Sequence, residues 1–370
     1  MARLQASAQD RFLECALMFA RTCNIACRHC GIESSPQNKS RMTLEDARRY
    51  ILDAATIPAF RKITFTGGEP FLFQDEHADL IALASGLGLF TRVVTNGFWA
   101  SSVEKGIQLL RRMKSAGLGE LNFSADRFHL EFLKAETLRN ALAAAAELGY
   151  PRILSFVTNT IDRDPLDELS EMYGLPREQL LDLQPLMDDL SRLQSLKHDH
   201  IFVFAGGLIG LGRAASYPQE LRYFPFDFFP DGRPCGEVVN KPVIYPDGDF
   251  QACCCAGGKI ATFTVGNAKR ENLQTLYERM LKRSHYRFIN EYGPKELYRA
   301  IRQARPDLPR PSGFTSVCEM CVKATEGLSA PEVDAIVEGA SFSKLLCRMG
   351  FAEEGSSDVG AGSELFTILS

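Results

Sequence analysis

The order of predicted elements constrains this chain most. From residue 12 to residue 204, short apolar runs alternate with amphipathic stretches of helical length. Runs at 12–19, 62–66, 90–95, 121–124, 153–157 and 201–204 read as six strands. Helices are predicted from the Thr43 cap to about residue 56, and over 76–86, 102–116 and 134–148. Thr43 with Asp46 is a capping-box-like start, and Gly117 and Gly149 stand where helices stop. Such alternation implies a parallel sheet with helices packed outside it. Residues 160–200 interrupt the rhythm, and Pro165 and Pro176 mark one or two extra helices before the sixth strand. In barrels built this way, reactive groups gather at the C-terminal strand ends. Those ends carry Cys23, Cys27 and Cys30, then Gly67-Gly68-Glu69-Pro70, Thr95-Asn96-Gly97 and Ser124-Ala125-Asp126.

Composition removes several functional classes. At 370 residues the chain accommodates one large barrel, or a barrel with a small second unit. A net charge of −4 is at odds with a general nucleic-acid binder, which presents a basic face. No run is long and uncharged enough to span a bilayer, and residues 1–12 hold no apolar signal core. We therefore expect a cytoplasmic protein with neither nucleic-acid nor membrane partners. Its 11 cysteines then read as metal ligands, because that compartment keeps thiols reduced. Cys15 lies in the first strand and reads as core. Cys23, Cys27 and Cys30 form one group; Cys235, Cys253, Cys254, Cys255, Cys318, Cys321 and Cys347 form another, far along the chain.

The first group is spaced C-x3-C-x2-C on a loop that leaves the first strand. Three thiols are one short of a closed tetrahedral site. A four-iron cluster also has four corners, normally each capped by a thiolate, so three thiolates leave one iron open. In the second group, a hairpin turning at Asp247-Gly248 would bring Cys235 and Cys253 together. A Cys318-x-x-Cys321 loop would supply the other pair. Four thiols make a closed site, open chemically to zinc or to iron and sulfur. Three adjacent thiols cannot all point one way. Cys254 or Cys255 therefore replaces Cys253 as ligand, faces a substrate as a hydrogen-atom donor, or is buried as a small apolar side chain.

The triad and its place after a first strand resemble the signature of the radical S-adenosylmethionine (SAM) superfamily. The resemblance implies a [4Fe–4S] cluster on Cys23, Cys27 and Cys30, with SAM on the open iron. Reduction would cleave SAM to a 5′-deoxyadenosyl radical that abstracts a hydrogen atom. His29 stands where relatives carry Phe, Tyr or Trp near the adenine; it is also a flat ring, but a polar one. Gly67, Gly68 and Glu69 resemble the motif that holds the SAM amino group. Asn96, Ser124 and Asp126 stand where relatives often contact the ribose and carboxylate. Gly212-Arg213-Ala214 resembles a stretch that follows the sixth strand in relatives, with no role assigned beyond a polar contact. Cys235, Gly248, Cys253, Cys318 and Cys321 resemble the SPASM auxiliary domain in its shortened twitch form. That resemblance implies a second, auxiliary [4Fe–4S] cluster on Cys235, Cys253, Cys318 and Cys321. Gly327 stands where a full SPASM domain continues with another thiol.

The expected fold is α/β: a partial (β/α)6 TIM-like barrel with a small C-terminal α+β iron–sulfur (twitch/SPASM) domain. The barrel would occupy residues 1–215, a linker 216–233, the auxiliary domain 234–350 and a flexible tail 351–370. The implied function is a radical SAM oxidoreductase that modifies a ribosomally made peptide by crosslinking, thioether formation or epimerisation. Dehydrogenation or epimerisation of a small molecule such as an amino sugar is the rival enzymatic reading. An iron–sulfur or zinc scaffold is the rival without catalysis. A flavodoxin- or ferredoxin-type donor would supply the electron. The short segment before the first strand leaves no room there for a leader-peptide recognition domain, which counts somewhat against the peptide.

Overall fold

The computed structural model describes residues 13–158, 163–183, 200–216, 224–253 and 258–348. Strand β1 (Leu13–Ala20) is buried along its whole length. Helix α1 (Leu44–Thr56) starts where the sequence predicts, with the Thr43 hydroxyl accepting the Asp46 amide. Strand β2 (Phe60–Gly67) leads into a 3-10 turn, Pro70–Phe73, and helix α2 (Gln74–Gly86). Strand β3 (Phe90–Thr95), helix α3 (Val103–Ser115), strand β4 (Glu120–Ala125), the single turn α4 (Arg127–Leu130) and helix α5 (Ala135–Glu147) follow. Strand β5 (Arg152–Thr158) precedes helix α6 (Pro165–Tyr173).

Strands β3 and β4 show how the sheet separates its two faces. Val93 and Thr95, with Leu121, Phe123 and Ala125, are buried against the helices. The alternate residues Arg92, Glu120, Asn122 and Ser124 face the other way, as a strand's period of two requires. Near the strand starts these inward groups form a charged floor. Arg92 bonds Glu14 at 3.1 Å and also Glu120, Lys62 bonds Glu120 at 3.1 Å, and Thr64 donates to Glu14 at 2.6 Å. One layer higher, Ser155 donates to Asn122 at 2.9 Å. The floor ties four strands together at the end opposite the cysteine loop.

Two features depart from expectation in the sheet. Pro165 does open a helix, but Pro176 caps only a 3-10 turn, Arg177–Gln179. The chain then enters a short strand, β6 (Leu180–Asp182), which pairs in parallel outside β7 (Ile201–Gly207). One of the one or two expected helices is thus described, edge strand β6 was not expected, and residues 184–199 lie outside the described set. The C-terminal unit is also joined to the barrel sheet. Strand β8 (Val243–Ile244) pairs in parallel with β1 and antiparallel with β9 (Asp249–Gln251), which pairs with β10 (Thr264–Asn267). The sheet order is β10-β9-β8-β1-β2-β3-β4-β5-β7-β6. The hairpin turn is the predicted one, with Gly248 at φ +92°.

Beyond the hairpin come helices α7 (Leu273–Lys282), α8 (Ser284–Tyr292), α9 (Pro294–Ala304), α10 (Val317–Thr325) and α11 (Ala330–Arg348). An aromatic group of half-buried Phe226 with buried Phe229, Tyr298 and Phe314 ties the segment before Cys235 to α9. No described helix is long and apolar enough to cross a membrane. The tail after residue 350 lies outside the described residues.

Candidate functional site

The loop after β1 is held in place mainly by backbone contacts. Gly68 donates to the Ala20 carbonyl at 2.7 Å, and Glu69 donates to that of Thr22 at 3.0 Å. A Cβ on Gly67 would lie 2.3 Å from the Ala20 oxygen, and one on Gly68 1.9 Å from the Thr22 oxygen. The two glycines therefore let the end of β2 meet the root of the cysteine loop. On the other side, Gly212 at φ +54° lies against the Gly31 and Cys30 carbonyls. Arg213 donates to the Cys27 carbonyl at 2.9 Å and the Ser34 carbonyl at 2.7 Å. The stretch to which the sequence assigned only a polar contact is thus a clamp on the loop.

Glu69 organises the next strand end. Its carboxylate is almost fully buried and accepts from the Phe71 amide (3.1 Å), the Thr95 hydroxyl (2.8 Å) and the Asn96 amide (2.8 Å). Burial pushes its pKa up to about 7 against these donors. These bonds commit Glu69 to shaping the strand ends. Asn96 passes the connection on, donating through Nδ2 to Asn24 Oδ1 at 2.8 Å and to Cys23 Sγ at 3.8 Å.

Asp126, at the end of β4, is also buried. It caps α4, accepting from Phe128 (2.9 Å) and His129 (3.0 Å), and it pairs with His129 Nδ1 at 2.8 Å. His29 Nε2 approaches its second oxygen at 3.4 Å. Tyr173, from α6, bonds both the Asp126 amide and carbonyl at 3.0 Å. The carboxylate is thus occupied by protein donors. Burial raises its pKa, but the two histidines and the amide bonds outweigh that and hold it below the usual carboxylate value. Ser124 lies one step earlier on β4, on the inward face.

His29 stacks on Phe128 with ring centroids 4.6 Å apart. Burial pulls its pKa down to about 4, against the attraction of Asp126. Its Nδ1 is buried without a hydrogen-bond partner among the described residues.

Two of the three loop sulfurs meet an N–H donor with a measured distance. The Asn96 amide reaches Cys23 (3.8 Å) and the Ser34 backbone amide reaches Cys30 (3.3 Å), while Cys27 lies near the His129 imidazole. The donors come from a strand end and the loop itself. Such N–H groups stabilise thiolates, as ligand sulfurs require. As a free thiol, Cys23 has its pKa pushed up to about 12, by burial first and then by Glu69 and the other two thiols. A bound cation reverses that preference, because it pairs with the thiolates. The donor set therefore fits a metal cluster.

The second set also converges. The Cys235 thiol feels Cys253, and the Cys321 thiol feels Cys235, Cys318 and Cys253. Burial, then these neighbours, push Cys321 well above its ordinary value. Cys318 and Cys321 do not lie on a loop, as the sequence reading had them. They occupy the first turns of α10, one turn apart, because Ser316 accepts the Glu319 amide while Glu319 accepts the Thr315 amide. The Ser316-x-x-Glu319 pattern was the sequence signal for that start. Cys254 and Cys255 lie outside the described residues. Cys15 is fully buried in β1, as read.

Residues 17–175 match the family model described as the radical SAM superfamily. With the three-thiol loop at the mouth of its parallel strands, that stretch of the chain is a radical SAM domain. The family implies a [4Fe–4S] cluster and SAM. Among relatives, Bacillus subtilis (strain 168) YydG, named for peptide biosynthesis, is 23% identical over 305 residues, covering 81% of this chain and 88% of that one. A solved structure of anSMEcpe with bound AdoMet and the Cp18Cys peptide is 12% identical, covering 89% of this chain and 99% of that one, with a TM-score of 0.47. BtrN, solved with AdoMet and 2-DOIA, is 11% identical, covering 76% of this chain and 88% of that one, with a TM-score of 0.42.

Proposed function

We propose that this enzyme modifies a ribosomally made peptide by hydrogen-atom abstraction. The observation that carries the catalytic part is the set of three loop sulfurs at the strand ends, with N–H donors on Cys23 and Cys30 and without a fourth thiol from the loop. The similarity to YydG, which extends over most of both chains, supports a peptide as substrate. When bound, the cluster and SAM supply a radical able to remove hydrogen from an unactivated carbon.

The chain's own residues hold and orient. Cys23, Cys27 and Cys30 ligate, and Arg213 fixes the loop carbonyls between them. Gly67, Gly68 and Glu69 set the strand end beside which SAM would lie, with Asn96 and Ser124 on the same rim. Asp126 acts on the rim through its two histidines. His29 offers an unpartnered buried Nδ1 and a ring anchored on Phe128, suited to the edge of an adenine. The inward residues of the sheet close the lower end with ion pairs, which leaves the thiol-bearing end for substrate. Cys235, Cys253, Cys318 and Cys321 would hold an auxiliary [4Fe–4S] cluster, and Cys254 or Cys255 would return a hydrogen atom if the outcome is epimerisation. A flavodoxin- or ferredoxin-type protein would deliver the electron.

The test is anaerobic reconstitution of the full chain, followed by assay of 5′-deoxyadenosine on reduction. Peptides encoded beside the gene and amino sugars would be offered as substrates in D2O. Peptide mass change with deuterium incorporation supports epimerisation, and loss of two hydrogens supports crosslinking. Turnover of an amino sugar but no peptide would replace the substrate assignment. SAM cleavage that survives loss of all three loop thiols would overturn the catalytic one.

A further inference from the structure

The inward face of the sheet is polar along β4 but turns apolar toward β7. Parallel register sets Asn122, Ile153 and Phe202 level with one another, then Ser124, Ser155 and Phe204, then Val157 and Gly206. Level residues of adjacent strands point to one face. Ile201 and Val203 are buried on the helix side, so Phe202 and Phe204 share the inward side with Ser155. Ile153, Val157 and Phe202 are half-buried there, and Phe204 is 41% exposed. Two glycines end β7. A Cβ on Gly207 would lie 2.6 Å from the Thr315 carbonyl oxygen, so packing against the C-terminal unit accounts for it. A Cβ on Gly206 would meet no heavy atom within 4 Å, and its φ lies outside the left-handed range. Neither backbone nor packing calls for that glycine. It keeps space free above the Phe204 ring, as a strand glycine does where a ligand comes close. Val157, level with Gly206, packs with Cys23, Cys27 and Cys30. Two residues along a strand rise about 7 Å, so the open space separates the exposed ring from the level of the thiols.

We infer that Phe204 and Gly206 form an apolar subsite for the peptide side chain next to the reacting carbon, with the ring as its floor and the glycine as its room. The inference rests on the peptide reading proposed above and adds which residue type that peptide carries there. An exposed ring gains most from cover by an apolar or aromatic side chain, since both surfaces then leave water. A charged or hydroxylated side chain would give up its own hydration on the ring without a hydrogen bond in return. Ser124, level with Phe204 across β5, offers a hydroxyl to the peptide backbone. The two walls thus sort the substrate, polar main chain on one and apolar side chain on the other. A side chain seated on Phe204 lies one layer below the residues that pack with the loop thiols.

The experiment uses the anaerobically reconstituted full chain and the peptide encoded beside the gene, made with Leu, Phe or Ser in turn at each residue flanking the modified one. In the wild type, kcat/KM for the Leu or Phe peptide should exceed that for the Ser peptide about thirtyfold at one flanking position. Phe204→Ala should cut that ratio about tenfold, and Phe204→Leu, which keeps an apolar floor, should restore most of it. Gly206→Val, which fills the open space, should lower kcat/KM about tenfold for the Phe peptide and less for the Ser peptide. SAM cleavage without peptide should stay at the wild-type level in all three variants. The ratio is read within each variant, so a loss of folded protein does not move it, and if one variant does not assemble the others decide. A wild type indifferent to both flanking residues overturns the inference. So does a ratio unchanged in Phe204→Ala and Gly206→Val, and either result leaves the peptide assignment standing. Turnover of an amino sugar and no peptide overturns both.

Discussion

The two thiol sites are built in opposite ways. The first draws its sulfurs from one short loop, Cys23 to Cys30, with one N–H donor from Ser34 just beyond them and one from Asn96 after β3. The second draws its sulfurs from distant positions, Cys235 to Cys321, with two on the first turns of one helix. Both sets mix buried and half-buried thiols: Cys30 is half-buried beside Cys23 and Cys27, and Cys235 and Cys318 are half-buried beside Cys253 and Cys321. A local loop can leave one corner free, because no other element needs to arrive to complete it. A set gathered from a hairpin and a helix binds elements together and closes. The difference matches the proposed roles, an open cluster for reaction and a closed auxiliary one.

The largest effect should come from removing the first set. Cys23→Ala, Cys27→Ala and Cys30→Ala together should cut SAM cleavage by at least about a thousandfold and lower bound iron from about eight to about four atoms per chain. Iron analysis with a deoxyadenosine assay checks both. Loss of all iron would mean that the two sites do not assemble independently. Next comes the root of the loop. Gly68→Ala places a carbon 1.9 Å from the Thr22 oxygen, which should cost about 3 kcal/mol in urea unfolding and deplete iron at the first site.

Acid should also separate the two halves. His77 on α2 is fully buried between Phe19 and Phe65, with only the Phe73 carbonyl bonded to it, and burial pulls its pKa to about 4. His285 in the C-terminal unit is also lowered by burial, but Asp334 at 2.6 Å opposes that shift. For His77 the folded value lies below the unfolded one of about 6.5. Its contribution is therefore full above pH 6.5 and is lost as pH falls through 4. Between pH 7 and pH 5 it should account for about 2 kcal/mol of lost stability. His77→Phe should flatten that part of the urea-midpoint profile; an unchanged slope would remove His77 as its source. The smallest effect expected is Cys321→Ser on SAM cleavage without substrate, which should stay within about threefold while iron at the second site is lost. A collapse of cleavage would show that the closed site also supports the open one.

The strand–helix order was legible because each barrel element carries its own period: β3 spans the predicted residues, and α1 begins at the predicted cap. Edge strand β6 was not legible, since three residues carry too little pattern to outweigh a helix-starting proline. The helical placement of Cys318 and Cys321 was written in Ser316 and Glu319 but hidden by the C-x2-C spacing, which suits loop and helix turn alike. Glu69 and Asp126 stand at the strand ends where the sequence reading placed them. That their carboxylates face inward, toward Thr95 and Asn96 and toward two histidines, depends on partners from other strands and helices.

By itself the sequence determined the alternation that makes the sheet, the three-thiol loop and the number of thiols available for a second site. Those are local properties, set by spacing along a few residues. Only the tertiary structure decided what surrounds the sulfurs: an amide from β3, an imidazole from α4 and an arginine clamp after β7. No spacing rule can report them, because hydrogen bonds between distant elements form only once the sheet has brought its strand ends together.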